Sequence, residues 1–173
     1  HPGVRAAGQV CRPRGLLIRY KGGVGTWAVQ IAKSLGAHVT AVCSTRNVEM
    51  VRALGADEVI DYTKEDFTAG GARFDVVFDM IGNRSLRDCF SVIVPKGTYV
   101  PCAGDGGDWV GPFFRVIAML VRSIFSTRKV AMFVMAPDQK DLVFLKELVE
   151  SGKAKPIIER RLPLTDVAVD RLG

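Results

Sequence analysis

Histidine is almost missing from this chain: His1 and His38 are the only two in 173 residues. A zinc site built by this chain alone is therefore not expected, because zinc sites gather Cys, His and carboxylate ligands. The four cysteines, Cys11, Cys43, Cys89 and Cys102, show no C-x-x-C spacing. Three of them fall in apparent strands or helices and read as small buried hydrophobes, which suits a reducing, cytoplasmic setting. No apolar run is long enough to span a bilayer. The most apolar stretch, 113–125, is interrupted by Arg115 and Arg122. It reads as a helix buried on most sides, with a membrane-surface helix as the alternative. Long runs of one charge are also lacking. The net charge is +6, and the Lys and Arg residues are scattered apart from small knots such as Arg160-Arg161. No nucleic-acid groove is read from that pattern. Residues 1–14 have neither an apolar core nor a period, so they resemble no signal peptide and are expected to form an irregular arm.

What is present begins at residue 15. Leu16, Leu17 and Ile18 form a short apolar run that reads as a buried strand. A glycine-rich turn follows, with Gly22, Gly23 and Gly25. Val24, Trp27, Ala28, Ile31, Ala32 and Leu35 then recur at helical spacing, and Gly36 ends that helix. Residues 38–43 alternate and are β-branched, so they read as a second strand. Strand, turn, helix and strand make one βαβ unit of a parallel sheet. The bare turn lets a phosphate approach the backbone at the positive end of the helix. The G-x-G-x-x-G fingerprint is met at Gly22 and Gly25, whereas Tyr20 stands at the first glycine. A packing role for the glycines is the alternative.

After the second strand stand Ser44, Thr45, Arg46 and Asn47. NAD-preferring folds place an acidic residue there for the ribose diol. Small hydroxyls with an arginine suit a 2′-phosphate instead. Ser44 or Thr45 capping the next helix, 46–54, is the plainer reading, and both can hold. Further strands are expected at 57–62, 74–80, 98–103 and 129–136, with helices at 83–93 and from 138 to about Gly152. Asp79, at a strand end, is read as a helix cap or a cofactor contact. Pro101 suggests an edge or bulge position. The fold class is α/β, a doubly wound, six-stranded parallel sheet of the Rossmann type.

From Leu16 to Leu172 the chain resembles the cofactor-binding half of the medium-chain dehydrogenase/reductase superfamily, and within it the zinc-independent quinone oxidoreductase branch. The residues that carry the likeness are Gly22-Gly23-Val24-Gly25-Thr26, Ala28-Val29-Gln30-Ile31-Ala32-Lys33, Cys43-Ser44-Thr45-Arg46-Asn47, and Leu54-Gly55-Ala56-Asp57. Val59-Ile60-Asp61-Tyr62, Asp79 with Ile81-Gly82-Asn83, Pro95 with Gly97-Thr98-Tyr99, and Gly152-Lys153 follow in order. The resemblance implies an NADPH site. By it, Gly22, Gly23, Val24 and Gly25 hold the pyrophosphate, and Lys21, where this chain departs from the family, adds a positive charge near the phosphates. Ser44, Thr45, Arg46, Asn47 and Tyr62 surround the 2′-phosphate, and Gly82 and Gly104 line the path to the nicotinamide.

The implied activity is hydride transfer from NADPH to a quinone or enone. The family orients substrate mostly with a GroES-like domain. The reading divides this chain into the arm 1–14, a dinucleotide domain 15–154 and a truncated return, 155–173, toward that domain. Little turnover is expected from the chain alone, and a poorly packed tail. The family likeness also implies a homodimer through the strand 129–136, whose apolar edge invites pairing. This chain departs from the family at Arg19, Tyr20 and Lys21, where Gly-Ala-Ser is usual. Two alternatives remain. One is a non-catalytic dinucleotide-binding or interaction protein derived from such an enzyme. The other is a methyltransferase, against which Ser44-Thr45-Arg46 argues.

Overall fold

A computed structural model describes residues 15–19, 22–71, 73–102, 127–131 and 138–158. Its elements run β1 (Leu16–Arg19), α1 (Gly22–Ser34), β2 (Val39–Cys43), a 3-10 turn (Thr45–Asn47), α2 (Val48–Ala53) and β3 (Glu58–Asp61). β4 (Phe74–Asp79), α3 (Leu86–Ser91), β5 (Ile93–Pro101), β6 (Lys129–Val130) and α4 (Gln139–Glu150) complete it. The strands form one parallel sheet in the order β3-β2-β1-β4-β5-β6. That is the doubly wound order, with the chain reversing direction across the sheet between β1 and β4.

The central strands are covered on both faces, so their residues read as continuous apolar runs rather than alternating ones. Ile18, Val39, Ala41 and Cys43 pack with Val29 and Ala32 of α1 and Val51 of α2. Leu17, Val42 and Val77 face the other way, against Phe67 and against Cys89 and Phe90 of α3. Phe90 and Tyr99 meet edge to face, ring centres 5.9 Å apart. Gly36 takes φ +79 just past α1, as a helix end of this kind requires.

The structure revises several expected bounds. The helix expected over 83–93 is only Leu86–Ser91, because Ser85 accepts the Asp88 N–H and starts it late. β5 begins at Ile93, not at 98, and carries an irregularity. Phe74 pairs with Ile93, but Val76 already pairs with Thr98. The extra residues form a bulge in which Lys96 takes φ +68. Gly97 is required there, since an added Cβ would sit 2.6 Å from Ile93 Cγ2 and 2.9 Å from the Asp75 carbonyl oxygen. Pro101 is not in the bulge, and among the described residues β6 pairs with β5 only at Thr98 and Tyr99, short of Pro101. It ends β5, an interior strand, opposite Asp79.

Of the expected strand 129–136, Lys129–Val130 pairs with β5 and ends the sheet. Residues 132–137 lie outside the described residues, as do 1–14, the run 113–125 and 159–173. α4 is capped by Asp138 and closed by Gly152 at φ +70. On this helix Leu148 is buried while Leu142 and Val149 are exposed. Beyond it, Ala154 is buried, and Lys155 is held to α1. Gln30 accepts the Lys155 N–H at 2.7 Å and donates to its carbonyl at 3.1 Å. The start of the expected loose tail is therefore anchored, although Ile157 and Ile158 stay exposed.

Candidate functional site at the carboxyl edge of the sheet

Three groups of residues stand at neighbouring strand ends on one edge of the sheet. The first is the glycine turn between β1 and α1. Gly22 has φ +51, a conformation open to glycine without strain. A Cβ added at Gly22 or Gly23 would meet nothing within 4 Å, so the space over the turn is open. The first turn of α1 holds no acidic residue. Its N–H groups have no partner within the helix, and the dipole favours an anion there. Thr26 donates to the Gly23 carbonyl at 2.6 Å and tightens the turn. Val24 is 66% exposed at its mouth, and Gly25 is buried. Lys21 lies outside the described residues.

The second group joins β1, β4 and β5. Arg19 is opposite Asp79 in register, and both are buried, at 4% and 0% exposure. Arg19 Nη1 donates to Asp79 Oδ2 at 2.8 Å, and Nη2 donates to Asn83 Oδ1. Tyr99 donates to the same Oδ2 at 2.9 Å. Oδ1 accepts the N–H groups of Ile81 and Gly82, each at 3.0 Å. Asp79 thus collects four conventional donors, as a buried carboxylate must. It caps no helix, which corrects the capping reading. Its bonds shape the turn in which Gly82 takes φ +73. The Arg19 guanidinium also lies 5.4 Å from the centre of the Phe67 ring. Burial, and then the Asp79 charge, push the Tyr99 phenol up from its ordinary range. The same causes raise Cys89, and they raise Cys102 to about 12. None of these groups is poised to give or take a proton near neutrality. Gly104 lies outside the described residues.

The third group stands at the ends of β2 and β3. Ser44 precedes the 3-10 turn but its side chain makes no capping bond, and Asn47 makes none for α2. Thr45 donates instead to Asp61 Oδ2 at 2.6 Å. The expected cap by Ser44 or Thr45 is therefore not made. The carboxylate across the strand takes the Thr45 proton. Ser44 Oγ accepts from Asn47 Nδ2 at 3.3 Å and keeps its own proton. Arg46 is exposed and has no ion-pair partner among the described residues. Tyr62 is 52% exposed, and its N–H donates to the Cys43 carbonyl at 3.1 Å. The structure thus brings Ser44, Thr45, Arg46, Asn47 and Tyr62 to one corner. Burial, then the Asp61 charge, push Cys43 up to about 11.

Sequence reasoning missed Asp61, Arg19 and Tyr99 as members of this edge. A signal was there for Arg19, since it and Asp79 end strands that the doubly wound order makes neighbours. Among the described residues, no three His, Cys, Asp or Glu side chains gather into a metal site. No helix among them is long and apolar enough to cross a membrane.

The comparisons with known proteins agree with this architecture. Residues 54–169 match the family model described as zinc-binding dehydrogenase. A chloroplast envelope quinone oxidoreductase homolog of Arabidopsis thaliana is 31% identical over 158 residues, 87% of this chain and 45% of that protein. The mitochondrial NAD(P)H oxidoreductase RTN4IP1 of Mus musculus is 34% identical, over 89% of this chain and 43% of that protein. The solved quinone oxidoreductase of Coxiella burnetii superposes with a TM-score of 0.78 at 27% identity, covering 97% of this chain and 51% of that one. The chain spans about half the length of the proteins it matches.

Proposed function

The chain belongs to the zinc-binding dehydrogenase family within the medium-chain dehydrogenase/reductase superfamily, among its quinone oxidoreductase-like members, and from that premise we propose that its dinucleotide is NADPH. The observation that carries this choice is the donor set after β2. Ser44 keeps a proton, Arg46 is exposed with no ion-pair partner among the described residues, and the Asp61 carboxylate beside them is engaged by Thr45, Thr63 and Lys64. A ribose diol needs a free acceptor, whereas a 2′-phosphate needs donors and positive charge. The open turn at Gly22 and Gly23 fits the pyrophosphate, held on the N–H groups of α1. Gly82, fixed by Asp79, lies at the end of β4 toward the nicotinamide side in this reading.

Bound NADPH supplies a hydride, which we assign to a quinone or enone in keeping with the quinone oxidoreductase relatives. The chain's own part is to bind and orient. The titratable groups around Asp79, namely Arg19, Tyr99 and Cys89, are committed to one another, so we assign the proton that completes the reduction to another source. This commitment also supports a second reading, a dinucleotide-binding protein without turnover. Neither reading uses zinc, since among the described residues no three His, Cys, Asp or Glu side chains gather to hold it. The proposed division is a dinucleotide domain over 15–154 followed by a segment, 155–173, that serves a substrate domain. We place the protein in a reducing compartment such as the cytoplasm, where its buried thiols stay free.

Fluorescence titration tests the cofactor, and steady-state NADPH oxidation with a simple quinone separates the two readings. NADPH is expected to bind more tightly than NADH. Arg46→Ala is expected to cost about 1.5–3 kcal/mol, roughly ten- to a hundredfold in NADPH affinity, with NADH barely affected. Equal affinity for both cofactors in the unmodified chain refutes the choice of NADPH.

A further inference from the structure

The turn that presents Arg46 has one side-chain hydrogen-bond link to a neighbouring strand among the described residues, and that link is Thr45 to Asp61. Cys43 and Asp61 are paired in register, so the end of β3 lies directly beside the start of the turn. Thr45 Oγ1 is 2.6 Å from Asp61 Oδ2. Thr63 donates to Oδ1 twice, from its N–H at 3.0 Å and its hydroxyl at 2.7 Å. The two hydroxyl oxygens are 2.9 Å apart. Each hydroxyl has a single proton, and both protons are directed at the carboxylate. The Asp61 carbonyl also accepts the N–H groups of Lys64 and Glu65, both at 3.0 Å, so its own backbone is pinned. Lys64 Nζ approaches Oδ2 at 3.5 Å. Asp61 is 7% exposed, whereas Thr45 and Arg46 are exposed. A fixed buried carboxylate therefore holds an exposed turn through one hydroxyl.

We propose that Asp61 is the positioning residue for cofactor choice, holding Thr45 so that the turn Thr45–Asn47 offers Arg46 and Ser44 to a 2′-phosphate. This rests on the NADPH reading above. It also reassigns Thr45, whose hydroxyl serves the turn rather than the phosphate. The bare charge of Asp61 acts in the opposite direction, because a carboxylate near a phosphate repels it. Position and charge thus predict opposite signs for the same substitution.

The test is titration of this chain with NADPH and with NADH, for the unmodified protein, Asp61→Asn, Thr45→Val and Thr45→Ser. Asp61→Asn and Thr45→Val should each weaken NADPH by about tenfold, the scale of one coupled hydrogen bond, and leave NADH within about twofold. Thr45→Ser keeps the hydroxyl and should bind as the unmodified chain does. The double variant should be no weaker than either single one, since both break the same link. Should Asp61→Asn fail to fold, Thr45→Val and Thr45→Ser test the same link from its exposed end. Tighter NADPH binding by Asp61→Asn, or unchanged binding by Thr45→Val, overturns the proposal while leaving the NADPH reading intact. An unmodified chain with no preference for NADPH overturns the reading, and the positioning role with it.

Discussion

Asp61 and Asp79 end two strands of the same sheet, and both gather donors from the strands beside them, yet they are built for different ends. Asp79 has no exposed surface and faces Arg19, itself 4% exposed, with Tyr99 and two backbone N–H groups completing its shell. Asp61 keeps a trace of exposure and is served by two hydroxyls, one N–H and a distant lysine. A charge sealed into the core is bound to its partner, because losing either leaves the other stranded at low dielectric. A charge at the rim is held by exposed hydroxyls, so its loss strands no buried partner. The inner corner thus fixes the turn after β4, and the outer corner is where we propose that cofactor choice is set.

The largest expected effect comes from breaking the inner corner. Asp79→Asn should destabilise the fold by about 3–5 kcal/mol, since Arg19 would remain buried and uncompensated. Arg19→Met should cost a similar amount for the converse reason. The double variant should lose clearly less than the sum of the two, which urea unfolding midpoints would show. Additive losses would mean that the two groups are not a pair and that the contrast with Asp61 is wrong.

A smaller effect sharpens the same contrast. Tyr99→Phe keeps the ring against Phe90 but removes the hydroxyl from Asp79. The expected cost is about 1.5–3 kcal/mol, the range for a hydrogen bond to a charged group. NADPH affinity at the other corner should not change. A loss of affinity without a loss of stability would join the two corners into one site.

The contrast also marks what could be read before the structure. Strand order followed from local patterns: the glycine turn, the helical spacing of Val24 to Leu35, and β-branched runs each specify their element by themselves. The start of β5 is hidden in the sequence because Pro95, Lys96 and Gly97 look like a turn between elements. They are a bulge inside one, tolerated because Gly97 lies bare against the Asp75 carbonyl. The start of α3 is equally hidden, because Ser85, the residue that caps it, is an ordinary serine until its hydroxyl meets the Asp88 N–H. The corners were less legible still. Arg19 and Asp79 are 60 residues apart, and Thr45 and Asp61 are 16 apart. Such pairs exist only once the sheet is assembled, so no local pattern announces them. Of the cofactor residues that family likeness implies, those the structure describes stand at or just past the ends of β1, β2, β3 and β4, but the likeness does not show that the Thr45 hydroxyl is engaged by Asp61.

The smallest expected effect is a pH dependence that belongs to the outer corner. The Thr45 hydroxyl first, and then the hydroxyl and N–H of Thr63 with the Lys64 charge, hold the Asp61 carboxyl down at about 2, against the burial that would raise it. The ordinary aspartate value is near 3.8. A carboxyl lowered in the folded state contributes stability that is fully present above its unfolded value and is lost as pH falls through the folded one. The window is therefore from about pH 4 down to about pH 2. Asp66 is lowered as well, by the N–H and hydroxyl of Thr68, so the whole protein loses stability in acid. What isolates Asp61 is the difference between the unmodified chain and Asp61→Asn. That difference should be constant from pH 7 to about pH 5 and should shrink steadily below pH 4, as the protonated carboxyl comes to resemble the amide. Urea midpoints at a series of pH values would show it. A difference that stays the same down to pH 2 would mean that Asp61 is held by shape and not by charge, and the outer corner would then resemble the inner one less than its hydrogen bonds suggest.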